Sequence, residues 1–118
     1  MIFPNDSQPT SQAPKIDRRA SPRHTVSVQI EIRVEGDDVP MRLETTDLSR
    51  GGCYVQIMIP LSVGLRVQAK LWLDGTPIVI RGLVVTRHPQ FGNGIVFVDF
   101  EGDAEPTLNR YLGVLVNA

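Results

Sequence analysis

The sequence predicts an all-β protein, a small six-stranded antiparallel β-barrel with a C-terminal α-helix. Three observations lead to this fold class. Apolar and polar residues alternate in six short segments, which is the period of a strand with one buried face. Tight turns separate several of these segments, as in small antiparallel barrels. Near the C-terminus the apolar spacing changes to that of a helix, and the 118 residues suit one domain.

Each strand is predicted from a run of alternation bounded by turn-forming residues. The first run is the most regular, because apolar Val26, Val28 and Ile30 alternate with polar Ser27 and Gln29. The predicted strands cover residues 26–34, 41–46, 53–59, 66–73, 77–87 and 94–100. The fifth segment is apolar and β-branched on both faces, which predicts a central strand.

The connections carry turn signals of different strength. Asp74-Gly75 predicts a two-residue hairpin between the fourth and fifth strands, because both central residues of a type I′ turn adopt positive φ. Residues 88–93 are predicted to form a turn before the last strand. Gly92-Asn93-Gly94 is not a nucleotide-binding fingerprint, since no helix follows it to offer an N-terminus to a phosphate.

The final segment is predicted as a helix over residues 103–116. Its apolar residues are spaced to lie on one helical face. Asp103 is a plausible N-cap, and Pro106 is tolerated in the first turn. The residues of the apolar face are Leu108, Tyr111, Leu112 and Leu115.

The charge of the chain is nearly balanced, but its distribution is uneven. The net charge of −1 argues against a protein that binds nucleic acid polymers or anionic membranes through bulk charge. Ten of the twelve basic residues are arginines, whose planar fork suits phosphate and carboxylate. Residues 15–24 hold four basic side chains and one acid. Residues 99–105 hold four acids and no base, which we interpret as a solvated turn and helix N-terminus.

Several function classes lack the residues they need. Cys53 is the single cysteine, so an internal disulfide is excluded, and with two histidines no metal site is expected. Cys53 lies on the apolar phase of its strand and is predicted to be a core residue, so no catalytic residue is assigned. No apolar run approaches the roughly 20 residues of a membrane span, and the N-terminus lacks the pattern of a secretory signal. We expect a cytoplasmic, non-enzymatic protein without a cofactor.

Arginines cluster in the segment before the first strand. Arg18, Arg19 and Arg23 lie in an irregular stretch, because Pro22 disfavours a helix through Ser21. Each guanidinium presents a fork to a phosphate, or to O6 and N7 of a guanine, and a flat face that stacks on a base. By itself, this segment would be interpreted as a solvated basic linker.

A second candidate segment follows the second strand. Asp47 can accept hydrogen bonds from N1–H and N2–H₂ of a guanine, and Ser49 offers a short donor and acceptor. Gly51 and Gly52 permit close backbone approach. Arg50 is either a further ligand contact or a solvated side chain. By itself, this segment would be interpreted as an Asp-initiated turn between two strands.

Together, in this order and spacing, the two segments resemble the motifs of the PilZ domain, the bacterial receptor module for cyclic di-GMP. The family's RxxxR motif matches Arg19 and Arg23, with Arg18 as the frequent additional arginine, and its D/N-x-S-x-x-G motif matches Asp47, Ser49 and Gly52. The resemblance extends over residues 16–116 and includes the late strand around Phe91-Gly92-Asn93-Gly94.

The resemblance implies a six-stranded barrel, residues 25–100, followed by the helix. The polar, proline-containing composition of the N-terminal residues predicts a flexible tail at residues 1–15. The resemblance also implies that cyclic di-GMP binds between the arginine linker, residues 16–24, and the turn after the second strand. Ligand binding would order the linker, and the new surface would signal to a partner protein. The implied ligand-binding residues are Arg18, Arg19, Arg23, Asp47, Ser49, Arg50, Gly51 and Gly52.

Two other functions stay open at this point. The first is a PilZ-type interaction module that does not bind the nucleotide, although such family members usually lack the arginines. The second is a small oligonucleotide-binding barrel, which would stack bases on aromatic side chains along a basic groove. Four Phe, two Tyr and one Trp are few for that purpose, so no nucleic acid polymer is expected as a partner.

Overall fold

The computed structural model describes residues 22–116. The predicted tail at residues 1–15 lies outside this range, as do Arg18 and Arg19. Six strands and one helix follow each other along the chain in the predicted order: β1 (Gln29–Val34), β2 (Met41–Leu48), β3 (Gly52–Gln56), β4 (Arg66–Leu73), β5 (Thr76–His88), β6 (Gly92–Phe100) and α1 (Ala104–Val116).

The six strands close into a barrel, so the predicted fold class is confirmed. Their spatial order is β1-β2-β3-β6-β5-β4, and β4 pairs with β1 to complete the circle. All six pairings are antiparallel. Most neighbours are joined directly along the chain, but residues 57–65 carry the chain from β3 to the distant β4. Every strand therefore pairs with a strand on each side. This confirms that β5 is a central strand, as the sequence predicted.

Alternate residues of each strand point into the barrel and form its core. In β4, Val67, Ala69, Leu71 and Leu73 are all buried, and the residues between them are partly exposed. Burial of a large aliphatic side chain contributes roughly 1.5–3 kcal/mol, so the period-two pattern is the main source of stability. The same alternation decides which side chains stay outside, where a ligand can reach them.

The helix α1 packs against β5. It begins at Ala104, and the backbone carbonyl of Asp103 accepts the amide of Thr107 at 3.0 Å, as expected for an N-cap position. Leu108 and Leu112 are buried. Both side chains belong to the same hydrophobic core as the inward residues of the barrel.

The predicted hairpin between β4 and β5 is confirmed. Asp74 and Gly75 have φ values of 52° and 83°, and Leu73 pairs with Thr76 on either side of them. Positive φ at both central residues is the signature of a type I′ turn.

The first strand is shorter than predicted, since β1 begins at Gln29 rather than at residue 26. The reason is the buried side chain of Thr45 in β2. Its hydroxyl donates to the carbonyl of Val26 at 2.7 Å and accepts the amide of Val28 at 3.0 Å. The hydroxyl thereby takes the place of two ladder bonds, while the amide of Thr45 still donates to the carbonyl of Val28 at 3.0 Å.

The last strand is longer than predicted, since β6 begins at Gly92 and β5 continues to His88. The predicted turn over residues 88–93 is therefore wrong in extent. Asn93 is fully buried, and its side-chain amide bonds with both backbone groups of Leu61 (2.7 and 2.9 Å) and with the carbonyl of Thr86 (3.0 Å). Asn93 therefore acts as a strand residue that fastens the loop of residues 57–65.

That loop also explains the ends of two other strands. β3 ends at Gln56 rather than at residue 59, because the chain leaves the sheet there to cross to β4. The amide of Ile57 still donates to the carbonyl of Phe91 at 3.0 Å. β2 continues to Leu48, two residues beyond the prediction, because Leu48 pairs with both Cys53 and His24.

Within residues 22–116, the structure contains no helix that is long and apolar enough to cross a membrane.

Candidate ligand-binding site

The segment before β1 is fastened to the C-terminal end of β2. His24 and Leu48 form an isolated antiparallel bridge, in which each amide donates to the carbonyl of the other residue at 2.9 Å. The hydroxyl of Thr45 holds the same segment at Val26 and Val28. The arginine linker therefore meets the barrel beside the end of β2, with Arg23 next to the bridge.

This attachment places Arg23 against Asp47. Nη2 of Arg23 lies 3.1 Å from Oδ2 of Asp47, and the two side chains remain 51% and 25% exposed. The register of β2 against β3 shifts between Thr45 and Asp47. Because of this shift, Thr45 and Leu48 both point inward while Asp47 faces outward. The irregularity in β2 thus presents the carboxylate to solvent at the point where the linker arrives.

Ser49 organises the turn between β2 and β3. Its Oγ accepts the amides of Gly51 and Gly52, each at 3.2 Å, and the hydroxyl lies 3.2 Å from the carbonyl of Gly52. The amide of Ser49 donates to that same carbonyl at 2.8 Å. Ser49 is buried, and its hydroxyl bonds within the turn. A direct contact between Ser49 and a ligand stays a prediction.

The two glycines bring the turn against β6. A Cβ atom at Gly52 would lie 2.2 Å from the carbonyl oxygen of Ile95, so only glycine permits this approach of β3 to β6. The carbonyl of Gly51 accepts the amide of Phe97 at 2.8 Å. The backbone at these glycines therefore closely approaches the neighbouring strand β6. This contact fixes the position of the turn.

The predicted site residues that the structure describes lie at one end of the barrel. Arg23 and Asp47 are in contact, and Ser49, Gly51 and Gly52 shape the turn that follows Asp47. Arg50 is exposed on the same turn, and its contact with a ligand stays a prediction.

A shallow groove of about 260 Å³ lies beside this site. Residues 25–27, which follow the linker, form one wall, and residues 44–46 of β2 with Gln56 of β3 form the other. Ser27 Oγ donates to Oε1 of Glu44 at 3.0 Å between the two walls. This groove was not predicted from the sequence, because no motif distinguishes its polar residues.

Two further side chains near the site were not predicted from the sequence. Tyr54 of β3 is the Cα partner of Asp47, and its hydroxyl oxygen lies 2.9 Å from Nδ1 of His88. Alternation within β3 could have placed Tyr54 on the outer face. Nothing local connects it with His88, because the two residues are 34 positions apart.

Cys53 lies inside the barrel, next to the same turn, and its predicted core position is confirmed. Burial, with a smaller contribution from the charge of Asp47, raises the pKa of the Cys53 thiol to about 12. The thiol is therefore protonated at neutral pH and is a poor nucleophile. Among the described residues, no three His, Cys, Asp or Glu side chains are grouped as a metal site would require.

Known proteins share this fold. Residues 17–113 match the PilZ domain family. The chain is similar to the crystal structure of the PilZ domain of CeSA from a cellulose-synthesizing bacterium, with 21% identity, a TM-score of 0.65, and coverage of 80% of this chain and 97% of that one. It is also similar to the Bacillus subtilis inhibitor of motility MotI/DgrA, with 18% identity, a TM-score of 0.67, and coverage of 86% of this chain and 53% of that one. No curated protein sequence matches. Because the family match spans most of the chain and includes both motifs, this protein belongs to the PilZ domain family.

Proposed function

We propose that this protein is a cyclic di-GMP receptor that acts as a cytoplasmic adaptor. PilZ domains are receptor and adaptor modules for this dinucleotide, which supports the ligand class. One observation carries the proposal for this chain: Arg23 of the first motif lies 3.1 Å from Asp47 of the second, although the two residues are 24 positions apart. Each short motif alone could have arisen by chance, but Arg23 of one and Asp47 of the other are in contact.

The two groups are complementary to different parts of the ligand. The Arg23 guanidinium can donate two parallel hydrogen bonds to a phosphate, or to O6 and N7 of a guanine. The Asp47 carboxylate can accept from N1–H and N2–H₂ of a guanine. Cyclic di-GMP has two guanines and two phosphates, so the additional forks of Arg18 and Arg19 have matching acceptors on the same molecule.

The ion pair between Arg23 and Asp47 does not prevent this binding. An ion pair between such exposed side chains contributes only about 0–1 kcal/mol. A hydrogen bond to a charged group contributes about 1.5–3 kcal/mol where water is excluded. Replacing the pair by a phosphate on Arg23 and a guanine edge on Asp47 is therefore favourable. In the absence of the ligand, the ion pair would keep both side chains near the positions that we propose for binding.

The same geometry suggests how binding reaches a partner protein. The bridge between His24 and Leu48 anchors the end of the linker to β2. Arginines that precede Arg23 would therefore contact the ligand close to this anchored position. A ligand held by Arg18, Arg19 and Arg23 would give this end of the barrel a new surface. We propose that a partner protein recognises that surface.

Isothermal titration of the full chain with cyclic di-GMP tests the proposal. We expect binding, and we expect Arg23→Ala to weaken it by roughly 10- to 150-fold, because about 1.5–3 kcal/mol of charge-assisted hydrogen bonding is lost. Arg42→Ala is the matched control. Arg42 is an exposed arginine of β2 that pairs with Glu31, and its loss should leave the affinity unchanged.

Absence of heat at tens of micromolar ligand would disprove the receptor function. Capture of a partner protein that is insensitive to the nucleotide would then identify the chain as a PilZ-type interaction module. Binding of a single-stranded oligonucleotide that survives 150 mM salt would instead indicate an oligonucleotide-binding barrel. Equal affinities for wild type, Arg23→Ala and Arg19→Ala would show that the arginines do not hold the ligand.

A further inference from the structure

Tyr54 and His88 form a hydrogen bond across a strand that separates them. Tyr54 belongs to β3 and His88 ends β5, and β6 lies between these two strands. Neighbouring strands are about 4.8 Å apart, so the two backbones are roughly 9.6 Å apart. The hydroxyl oxygen of Tyr54 nevertheless lies 2.9 Å from Nδ1 of His88, and the ring centroids are 5.7 Å apart. Both rings must therefore lean over β6 and lie along the barrel surface.

Glycines in β6 make this arrangement possible. Gly94 is the Cα partner of Tyr54, and Gly92 is the partner of both Gln56 and His88. A Cβ atom at Gly94 would lie 2.4 Å from Oγ1 of Thr86, and one at Gly92 would lie 2.0 Å from the carbonyl oxygen of Val55. β6 therefore has no side chain beneath the rings. Tyr54 itself is partly exposed on the outer face of β3.

The ring lies beside the candidate ligand-binding site. Tyr54 is directly opposite Asp47 in the β2–β3 pairing, and both side chains are on the outer face of the barrel. Side chains that are paired across antiparallel strands have Cβ atoms about 4.5–5.5 Å apart. The ring leans away from Asp47, over β6, so a planar base whose edge meets the Asp47 carboxylate would reach the ring by extending across β3.

We propose that Tyr54 is a stacking surface for one guanine of the ligand, and that His88 is a positioning residue that holds the ring in place. This inference rests on the proposed function. The guanine would place its face on Tyr54 and its N1–H and N2–H₂ edge against Asp47, so that the site recognises one base by stacking and by hydrogen bonding. The His88 contact fixes the ring before the ligand arrives, which reduces the ordering cost of binding.

Titration of four variants with cyclic di-GMP tests the stacking surface. Tyr54→Leu keeps an apolar cover over β6 but loses the aromatic face, and we expect it to bind at least fivefold more weakly. Tyr54→Trp should bind as tightly as wild type or more tightly, because it keeps an aromatic face. His88→Ala should weaken binding by a smaller factor, about two- to fivefold, because it loses only the fixed ring position. Trp72→Leu, which removes an outward aromatic of β4, is the control and should change nothing.

A spectroscopic readout separates stacking from structural support. On addition of cyclic di-GMP, the Tyr54 ring protons should shift upfield in NMR spectra, because a guanine stacked on the ring shields them. In His88→Ala the same shift should occur at a higher ligand concentration. Wild-type affinity in Tyr54→Leu, or unmoved Tyr54 ring signals at saturation, would overturn the stacking surface while leaving the receptor function intact. Failure of wild type to bind would overturn both.

Discussion

Thr45 and Ser49 are two buried hydroxyl residues on either side of Asp47, and both hydroxyls bond to backbone groups nearby. Thr45 holds the segment that precedes β1, and Ser49 holds the turn that precedes β3. Thr45 and Ser49 are both buried, whereas the side chains of Arg23 and Asp47 are 51% and 25% exposed. At the scale of single residues, the candidate site therefore consists of a few accessible charged groups and a larger number of buried groups that position them.

Thr45→Val tests this division. Valine keeps the volume of threonine but cannot bond with Val26 or Val28, and the backbone groups of these residues lose a partner. We expect the free energy of unfolding to fall by about 1–3 kcal/mol, measured by urea denaturation. Thr46→Val is the matched control, because Thr46 is the exposed neighbour. Similar losses for both variants would contradict the structural role of the Thr45 hydroxyl.

Cys53 predicts a dependence of stability on alkaline pH. Its pKa rises from 9.0 to about 12 on burial, so between these values the native state keeps a proton that the unfolded state has lost. Stability must then fall as pH rises, by about 1.4 kcal/mol per pH unit above pH 9. Cys53→Ala lacks the thiol, so we expect its free energy of unfolding to fall less steeply between pH 8 and pH 10.5, measured by urea denaturation. Parallel pH profiles for wild type and Cys53→Ala would show that the thiol does not titrate in this way.

At the scale of elements, the accuracy of the sequence-based prediction depended on the range of the interactions involved. The β4–β5 hairpin was predicted correctly, because Asp74 and Gly75 determine the turn locally. The start of β1 was wrong, because it depends on a threonine 17–19 positions away. The contact between Arg23 and Asp47 was anticipated only through the family resemblance. Tyr54 and His88 were missed, because only the closed barrel brings them together.

Asn93 shows how one side chain can link several elements. It lies in β6, and its side chain bonds with Leu61 in the loop between β3 and β4 and with Thr86 in β5. We expect Asn93→Leu to lower the free energy of unfolding by about 3 kcal/mol or more, because three partly buried backbone groups lose their hydrogen-bond partner. The exposed Gln29→Ala in β1 should change stability by less than about 0.5 kcal/mol.

Hydrogen exchange can locate the effect of Asn93. The amide of Leu61 donates to Asn93 at 2.7 Å, so we expect its protection to fall furthest in Asn93→Leu. Amides of β1, on the other side of the barrel, should lose protection only to the extent that global stability falls. A uniform loss over all strands, with no excess at Leu61, would show that Asn93 does not fasten this loop in particular.

At the scale of the whole molecule, the closed barrel connects the candidate site to the rest of the protein. Each strand pairs with two neighbours, and the linker, the turn after β2 and β6 are joined by backbone hydrogen bonds. A small barrel of this kind is expected to unfold in a single cooperative step. A ligand that binds only the folded barrel then stabilises every strand and not the binding end alone.

This cooperativity gives the binding proposal a simple thermal test. At a free cyclic di-GMP concentration 100 times Kd, a ligand that binds only the native state adds about 2.7 kcal/mol. For a domain of this size, that addition should raise Tm by roughly 10 °C. At the same ligand concentration, Arg23→Ala should show about half of this shift or less, and Arg42→Ala should show all of it. If the nucleotide raises Tm equally in wild type and Arg23→Ala, the stabilising contact lies elsewhere on the barrel.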